Sequence, residues 1–145
     1  MMPKIKQNKQ VQHSSQKLFE LVNKVEDYPK FLPWCTDSKI ISQKQDAVKA
    51  RLSVAKGPFR QDFATENTLE PYTKIKMHYL SGPFKKFYGE WSFKELSSNC
   101  CQVEFDLEYE FNNMLTARAL IPIFNLITDT MIDSFIKRAD EIYHD

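Results

Sequence analysis

At 145 residues, 42% of them hydrophobic and 27% charged, the chain has the length of one domain able to bury its own core. A formal net charge of +1 excludes a globally basic nucleic-acid binder and leaves only local patches for that role. Three glycines leave no Gly-rich phosphate loop, and three cysteines, two of them adjacent, form neither a disulfide framework nor a zinc-binding spacing.

The first residues, Met1 to Gln7, carry no apolar signal core and no Arg-rich presequence. The longest apolar run, Ala119 to Phe124, is too short to span a bilayer. The expectation is a cytoplasmic protein without a transmembrane segment. Ile5 and Val11, at even spacing in a polar stretch, predict a first strand. His13-Ser14-Ser15 then offers a hydroxyl N-cap, and Leu18, Leu21, Val22 and Val25 follow at helical spacing. Pro29 is expected to stop that helix. Tyr28 to Trp34 reads as a short aromatic segment bounded by prolines.

From Val48 onward the period changes to two. Val48, Ala50, Leu52 and Val54 alternate with polar residues, as do Phe63 among its neighbours, then Ile75, Met77 and Tyr79, then Phe87, Gly89, Trp91 and Phe93. In the last such segment Cys101, Val103, Phe105, Leu107, Tyr109 and Phe111 share one face, and Gln102, Glu104, Asp106, Glu108 and Glu110 the other. One apolar face and one wet face describe antiparallel strands, and the short turns between them make a meander. The carboxylate row reads as solvated and balanced by lysines such as Lys4 and Lys6 on the first strand.

Leu120, Phe124, Ile127, Met131, Phe135, Ala139 and Ile142 step by three or four, predicting a helix from about Leu115 to Tyr143 with Pro122 near its start. The fold class is therefore α+β, a single domain over residues 1–145 with a curved antiparallel sheet wrapped around a long C-terminal helix. Large side chains of unequal size converge between them: Phe63, Met77, Tyr79, Trp91, Phe93, Val103 and Phe105 from strands, with Phe124, Met131 and Phe135 from the helix. They suit an adaptable apolar pocket or a filled core. In a meander, the turns Gly57-Pro58 and Gly82-Pro83 fall at the same end as the helix start. That places Phe59, Phe84 and Leu115 at the mouth of any tunnel, beside Lys56, Arg60, Lys85 and Lys86. Lys74, Lys76 and His78 form a second basic group on the open face.

The run Val25-Glu26-Asp27-Tyr28-Pro29-Lys30-Phe31-Leu32-Pro33-Trp34-Cys35 resembles a signature phrase of the coenzyme-Q-binding START-domain family. Gly82-Pro83-Phe84 with Gly89-Glu90-Trp91-Ser92-Phe93, and Tyr109-Glu110-Phe111 with Phe124, Phe135, Arg138-Ala139 and Tyr143, extend the likeness across nearly the whole chain. Trp34-Cys35 after Phe31-Leu32-Pro33 looks like the bacterial ribosome-association toxin branch. The resemblance implies a helix-grip (START/Bet v1-like) fold and a hydrophobic tunnel for a ubiquinone or another polyprenyl lipid, with no required cofactor. For the toxin branch it implies binding to the large ribosomal subunit and a block on subunit joining, for which Lys56, Arg60, Lys85 and Lys86 are one candidate contact group and Lys74, Lys76 and His78 another. A lipid carrier would also make peripheral membrane contact.

No catalytic constellation is expected. His13, His78 and His144 lack metal-ligand spacing and read as solvated. No Ser, Cys or Lys sits in a nucleophile motif. Related helix-grip proteins include polyketide cyclases and dehydratases, and that third reading needs an acid or base inside the cavity, for which Tyr79, Tyr109, Gln61 and Thr65 are the candidates.

Overall fold

The computed structural model describes residues 4–143. β1 (Lys4–Val11) leads into α1 (Ser15–Asn23), whose N-cap Ser14 accepts from the Lys17 backbone N–H at 3.2 Å. A 3-10 helix spans Val25–Lys30. Then follow β2 (Cys35–Gln43), β3 (Ala47–Lys56), β4 (Phe59–Glu70), β5 (Lys74–Ser81), β6 (Phe84–Ser97) and β7 (Cys100–Phe111). α2 (Met114–Ile142) comes last, its first turn capped by Asn113, which accepts from the Thr116 N–H at 2.8 Å.

All seven strands form one antiparallel sheet in the order β1-β7-β6-β5-β4-β3-β2. The meander is thus real from β2 to β7, and β1 returns to pair with β7. Alternation decides the faces: Cys101, Val103, Phe105 and Leu107 are buried, while the carboxylates between them point outward. Lys4 meets Glu108 across the β1–β7 pair at 3.3 Å, as the charge pattern required. α2 lays Leu120, Ile123, Phe124, Ile127, Ile132, Phe135 and Ala139 into the concave face. Its halves Met114–Ile127 and Asp129–Ile142 bend by 40°. Thr130 Oγ1 donates to the Leu126 carbonyl at 2.7 Å, a back-bond that bends helices, and Pro122 removes a further backbone bond upstream. No single helix among the described residues is long and apolar enough to cross a membrane.

Three local expectations change. α1 ends at Asn23, and the residues up to Pro29 wind as a 3-10 helix, which needs no fourth-neighbour bond from proline. β2 was not foreseen: bulges between Cys35 and Asp37 and between Ile40 and Ser42 break its period of two. His13 is not solvated. It is 8% exposed, and its Nε2 lies 2.7 Å from Asp140 Oδ1, tying the entry of α1 to the end of α2. His144 lies outside the described residues.

Burial sets the alkaline limit of this fold. It pushes the Cys35 and Cys101 thiols up to about 11 and the Tyr28 phenol well above its ordinary range. The folded state therefore holds protons that the unfolded chain releases first, so stability is complete below the ordinary pKa values and falls as pH rises past them. Urea midpoints should be flat between about pH 6 and pH 8 and decline above about pH 9. Replacing both Cys35 and Cys101 by Ala should move the onset toward pH ~10, where tyrosines take over. A midpoint that climbs between pH 8 and pH 10 would contradict this linkage.

Candidate functional site

Among the described residues the sheet curves around α2 and leaves a cavity of about 60 Å³ between them. Its walls come from every layer: Val25 and Tyr28 from the 3-10 helix, Trp34 ahead of β2, Ala50 and Leu52 from β3, Phe63, Thr65 and Asn67 from β4, Met77 from β5, Phe87 and Trp91 from β6, Phe105 and Leu107 from β7, and Phe124, Ile127, Met131 and Phe135 from α2. None of these side chains is charged. The space is far smaller than the roughly 300–1,000 Å³ of a typical ligand pocket, so the interior is close to filled.

Two aromatic groups bracket it. In one, Phe135 meets Tyr28, Phe31 and Trp91 edge-on, with ring centroids 5.2–5.3 Å apart, and Trp91 packs on Phe105 at 4.7 Å. In the other, Phe84 is the hub for Phe63, Tyr79, Phe87, Phe111 and Phe124 at 5.0–5.9 Å. Edge-to-face rings hold one another in orientation as well as by area. Met77 lies over Gly89, its cross-strand partner, where a Cβ would strike the Met77 methyl. Met77 and Met131, both unbranched, are the adaptable part of the wall.

Of the residues named from sequence as ligand contacts, Phe63, Met77, Trp91, Phe105, Phe124, Met131 and Phe135 meet at the cavity. Tyr79, Phe93 and Val103 belong to the surrounding core. Tyr79 Oη accepts from the Phe84 N–H at 3.1 Å, and Gln61 is exposed. Tyr109 packs on Phe124 at 5.0 Å, with burial raising its phenol pKa. Of the mouth residues, Phe84 is buried as the aromatic hub, whereas Leu115 is 79% exposed beside Arg60 and Gln61 at a separate depression. The Phe59 side chain lies outside the described residues. Sequence reasoning missed Tyr28, Trp34, Asn67 and Phe87. The inward parity of Asn67 was readable from Thr65 and Phe63, and Tyr28 and Trp34 stand in the proline-bounded aromatic segment singled out from sequence, though not as ligand contacts.

The polar groups of the wall are few. Tyr28 donates its hydroxyl to the Val22 carbonyl, and Thr65 Oγ1 donates to Asn67 Oδ1 at 2.8 Å. Trp34 Nε1 is buried without a hydrogen-bond partner.

The outer face is charged and mostly paired. Lys74 reaches Glu90 at 3.6 Å, Lys76 reaches Glu70 at 3.3 Å, Arg60 reaches Asp62 at 3.8 Å and Lys85 reaches Glu110 at 3.9 Å. Lys56 and Lys86 have no ion pair among the described residues. A cluster not foreseen lies on the β2–β3 edge: Lys39 stands directly opposite Arg51, with Lys49 two residues along the same face. Like charges opposed across a ladder are unfavourable unless something offsets them. Arg51 reaches Asp37 only at 4.0 Å.

Over residues 11–136 the sequence matches the family described as polyketide cyclase/dehydrase and lipid transport. It is 40% identical over 126 residues to the ribosome association toxin RatA of Pseudomonas aeruginosa, covering 87% of this chain and 88% of that protein. It is 30% identical over 139 residues to the mitochondrial coenzyme Q-binding protein COQ10 of Dictyostelium discoideum, covering 93% and 68%. The solved Zhui aromatase/cyclase of Streptomyces sp. R1128 superposes with a TM-score of 0.87 at 14% identity, covering 99% of this chain and 97% of that one. A START superfamily protein from Mycobacterium smegmatis superposes at 0.79 with 16% identity, covering 96% and 98%. These two likenesses concern the fold, which is the START-like helix grip.

The ring lattice predicts a graded response to truncation. Phe135→Ala removes a fully buried ring that touches three others, and should cost about 3–5 kcal/mol. Phe31→Ala removes a half-buried ring at the same junction, which also lies under the Arg138 guanidinium at 5.5 Å, and should cost about 1–2 kcal/mol. Urea denaturation of both variants checks the order; equal costs would mean that Phe31 carries as much of the junction as Phe135.

Proposed function

We propose a function from one premise: the chain belongs to the polyketide cyclase/dehydrase and lipid transport family. Within that family our reading is a non-catalytic domain that associates with the ribosome, through the large subunit, and acts in the cytoplasm. The observation that carries it is the identity to proteins named ribosome association toxin, sustained over most of the chain from β1 to α2. The non-catalytic part rests on the wall of the cavity. A cyclase or dehydratase needs a proton donor or acceptor at the substrate, and this wall has no carboxylate, imidazole or amine. Its one phenol, Tyr28, is held neutral by burial and bonded to a backbone carbonyl.

RNA recognition would fall to cations not already neutralised by the sheet's own carboxylates. Lys56 and Lys86, with no ion pair among the described residues, and Lys39, set opposite Arg51 rather than a carboxylate, fit that requirement better than Lys74 and Lys76, which are paired. The test is co-sedimentation with purified large subunits across a salt series. Changing Lys39, Lys49 and Arg51 to Ser, or Lys56, Arg60, Lys85 and Lys86 to Ser, should weaken binding and flatten the salt slope by roughly one unit for each phosphate no longer neutralised. No co-sedimentation of the unaltered chain at low salt would overturn the reading.

A second reading, that the interior also takes a slender apolar ligand such as a polyprenyl quinone or lipid, is favoured by the cavity itself and by the relatives named coenzyme Q-binding. At about 60 Å³ the space admits such a molecule only after Met77, Met131 or Phe87 swings aside. Ala50→Leu would fill the space from the β3 side. It should leave the protein folded yet abolish saturable quenching of tryptophan fluorescence by a short-chain quinone. Identical titrations for Ala50→Leu and the unaltered chain would place any binding outside the cavity.

A further inference from the structure

The cavity wall is apolar except at a few points, and those points are unevenly satisfied. Trp34 is 2% exposed, lines the cavity, and keeps its indole N–H without an acceptor. An unmade buried donor is among the costlier features a core can hold, and such groups are few in folded proteins. Packing does not require it, because phenylalanine would fill much of the same space without the N–H. The backbone holds the ring's base firmly: the Ala55 N–H donates to the Trp34 carbonyl at 3.0 Å, and the Cys35 N–H donates to the Leu32 carbonyl at 3.0 Å. On β4, Thr65 and Asn67 face the same space, each 7% exposed. Thr65 gives its one proton to Asn67 Oδ1, which leaves the amide NH₂ with donors to place.

We infer that the cavity is built to receive a neutral molecule carrying an acceptor oxygen on an apolar body, with Trp34 Nε1–H and the Asn67 amide as the donors that read it. The inference deepens the apolar-ligand reading and rests on it. Trp34 Nε1–H lacks an acceptor and the Asn67 amide nitrogen can only donate, so the complement is an acceptor such as a carbonyl or ether oxygen. No side chain in the wall is charged, so an anion or cation would enter without a counter-ion and lose its hydration. Phe63, Phe87, Phe105 and Leu107 offer flat apolar surface for the body, while the two methionines adapt to its outline. Specificity then comes from the donors and affinity from burial, and a hydrocarbon of the same shape would leave the donors unpaired.

The experiment uses the full chain with ¹⁵N-labelled tryptophan. Trp34 and Trp91 give two indole N–H resonances, assigned with Trp34→Phe. The probes are 2,3-dimethyl-1,4-naphthoquinone and 2,3-dimethylnaphthalene, alike in shape and unlike in acceptors. The Trp34 indole proton should move downfield with the quinone and not with the hydrocarbon. Trp34→Phe and Asn67→Leu should each weaken the quinone by about five- to tenfold and the hydrocarbon by less than about twofold. Saturating quinone that leaves the Trp34 indole proton in place, or an equal weakening for both probes, overturns the inference and leaves the donor to a bound water. Binding of neither probe overturns the apolar-ligand reading together with it. The indole readout uses the unaltered sequence, so a variant that fails to fold does not decide the result.

Discussion

A seven-stranded antiparallel sheet with one apolar face is unstable in water until something covers that face, and here the cover is the 29-residue helix α2. The rest of the architecture follows from fitting a straight, wide stripe to a twisted surface. The sheet curls toward the helix, and the helix bends near Thr130 to follow it. The 3-10 segment closes the flank where Phe135 would otherwise meet solvent, by setting Tyr28 and Phe31 edge-on against it. Gly82 belongs to the same fit. Its φ is +144°, and a Cβ there would lie 2.5 Å from Phe63 Cβ, so the β5–β6 turn can fold down over β4 only without a side chain.

What could be read from sequence was what depends on period. β3 to β7 announce themselves because each buries one face, and α2 because its stripe runs the length of the helix, so the class of fold was legible without the structure. β2 was not, since its two bulges turn successive residues out of phase and leave Ile41 exposed. His13 was misread for a different reason. Its partner Asp140 lies 127 residues away, and no local pattern encodes a contact that only the closure of α2 over α1 creates. The cavity falls between these cases. Parity placed the strand residues Phe63, Met77, Trp91 and Phe105 on its wall, but parity says nothing of Trp34, which reaches it from a proline-bounded segment outside the strands.

The sequence left pocket and filled core open as alternatives, and the interior lies close to the filled one. Rings at edge-to-face spacing occupy most of the interior, and what remains is a small space bordered by the two side chains most able to move, Met77 and Met131. Their unbranched chains keep several rotamers open to them at this border. A rigid β-branched residue opposite Gly89 would forfeit that, because Cβ branching leaves one strongly preferred χ1. The same constraint explains the scarcity of polar atoms in the wall: each must be satisfied in the closed state or left as a standing cost.

The scaffold itself says little about chemistry. A solved structure named as an aromatase/cyclase shares this arrangement of sheet and helix at low identity, so the fold alone does not decide between enzyme and binding protein. What separates the possibilities is the population of the interior. Proton transfer needs a group that can change charge while touching the substrate, and burial in this wall has been given instead to rings, aliphatic chains, the hydroxyls of Tyr28 and Thr65 and the amide of Asn67. The charged side chains of the strands are arrayed on the convex face, where Lys4, Lys74, Lys76 and Lys85 each find a carboxylate on a neighbouring strand. The two surfaces are thus chemically distinct, an inner one that is apolar with a few polar groups and an outer one that is charged. On the β2–β3 edge of the outer surface, Lys39 faces Arg51 across the ladder, a like-charge pair whose nearest relief is Asp37 at 4.0 Å from Arg51.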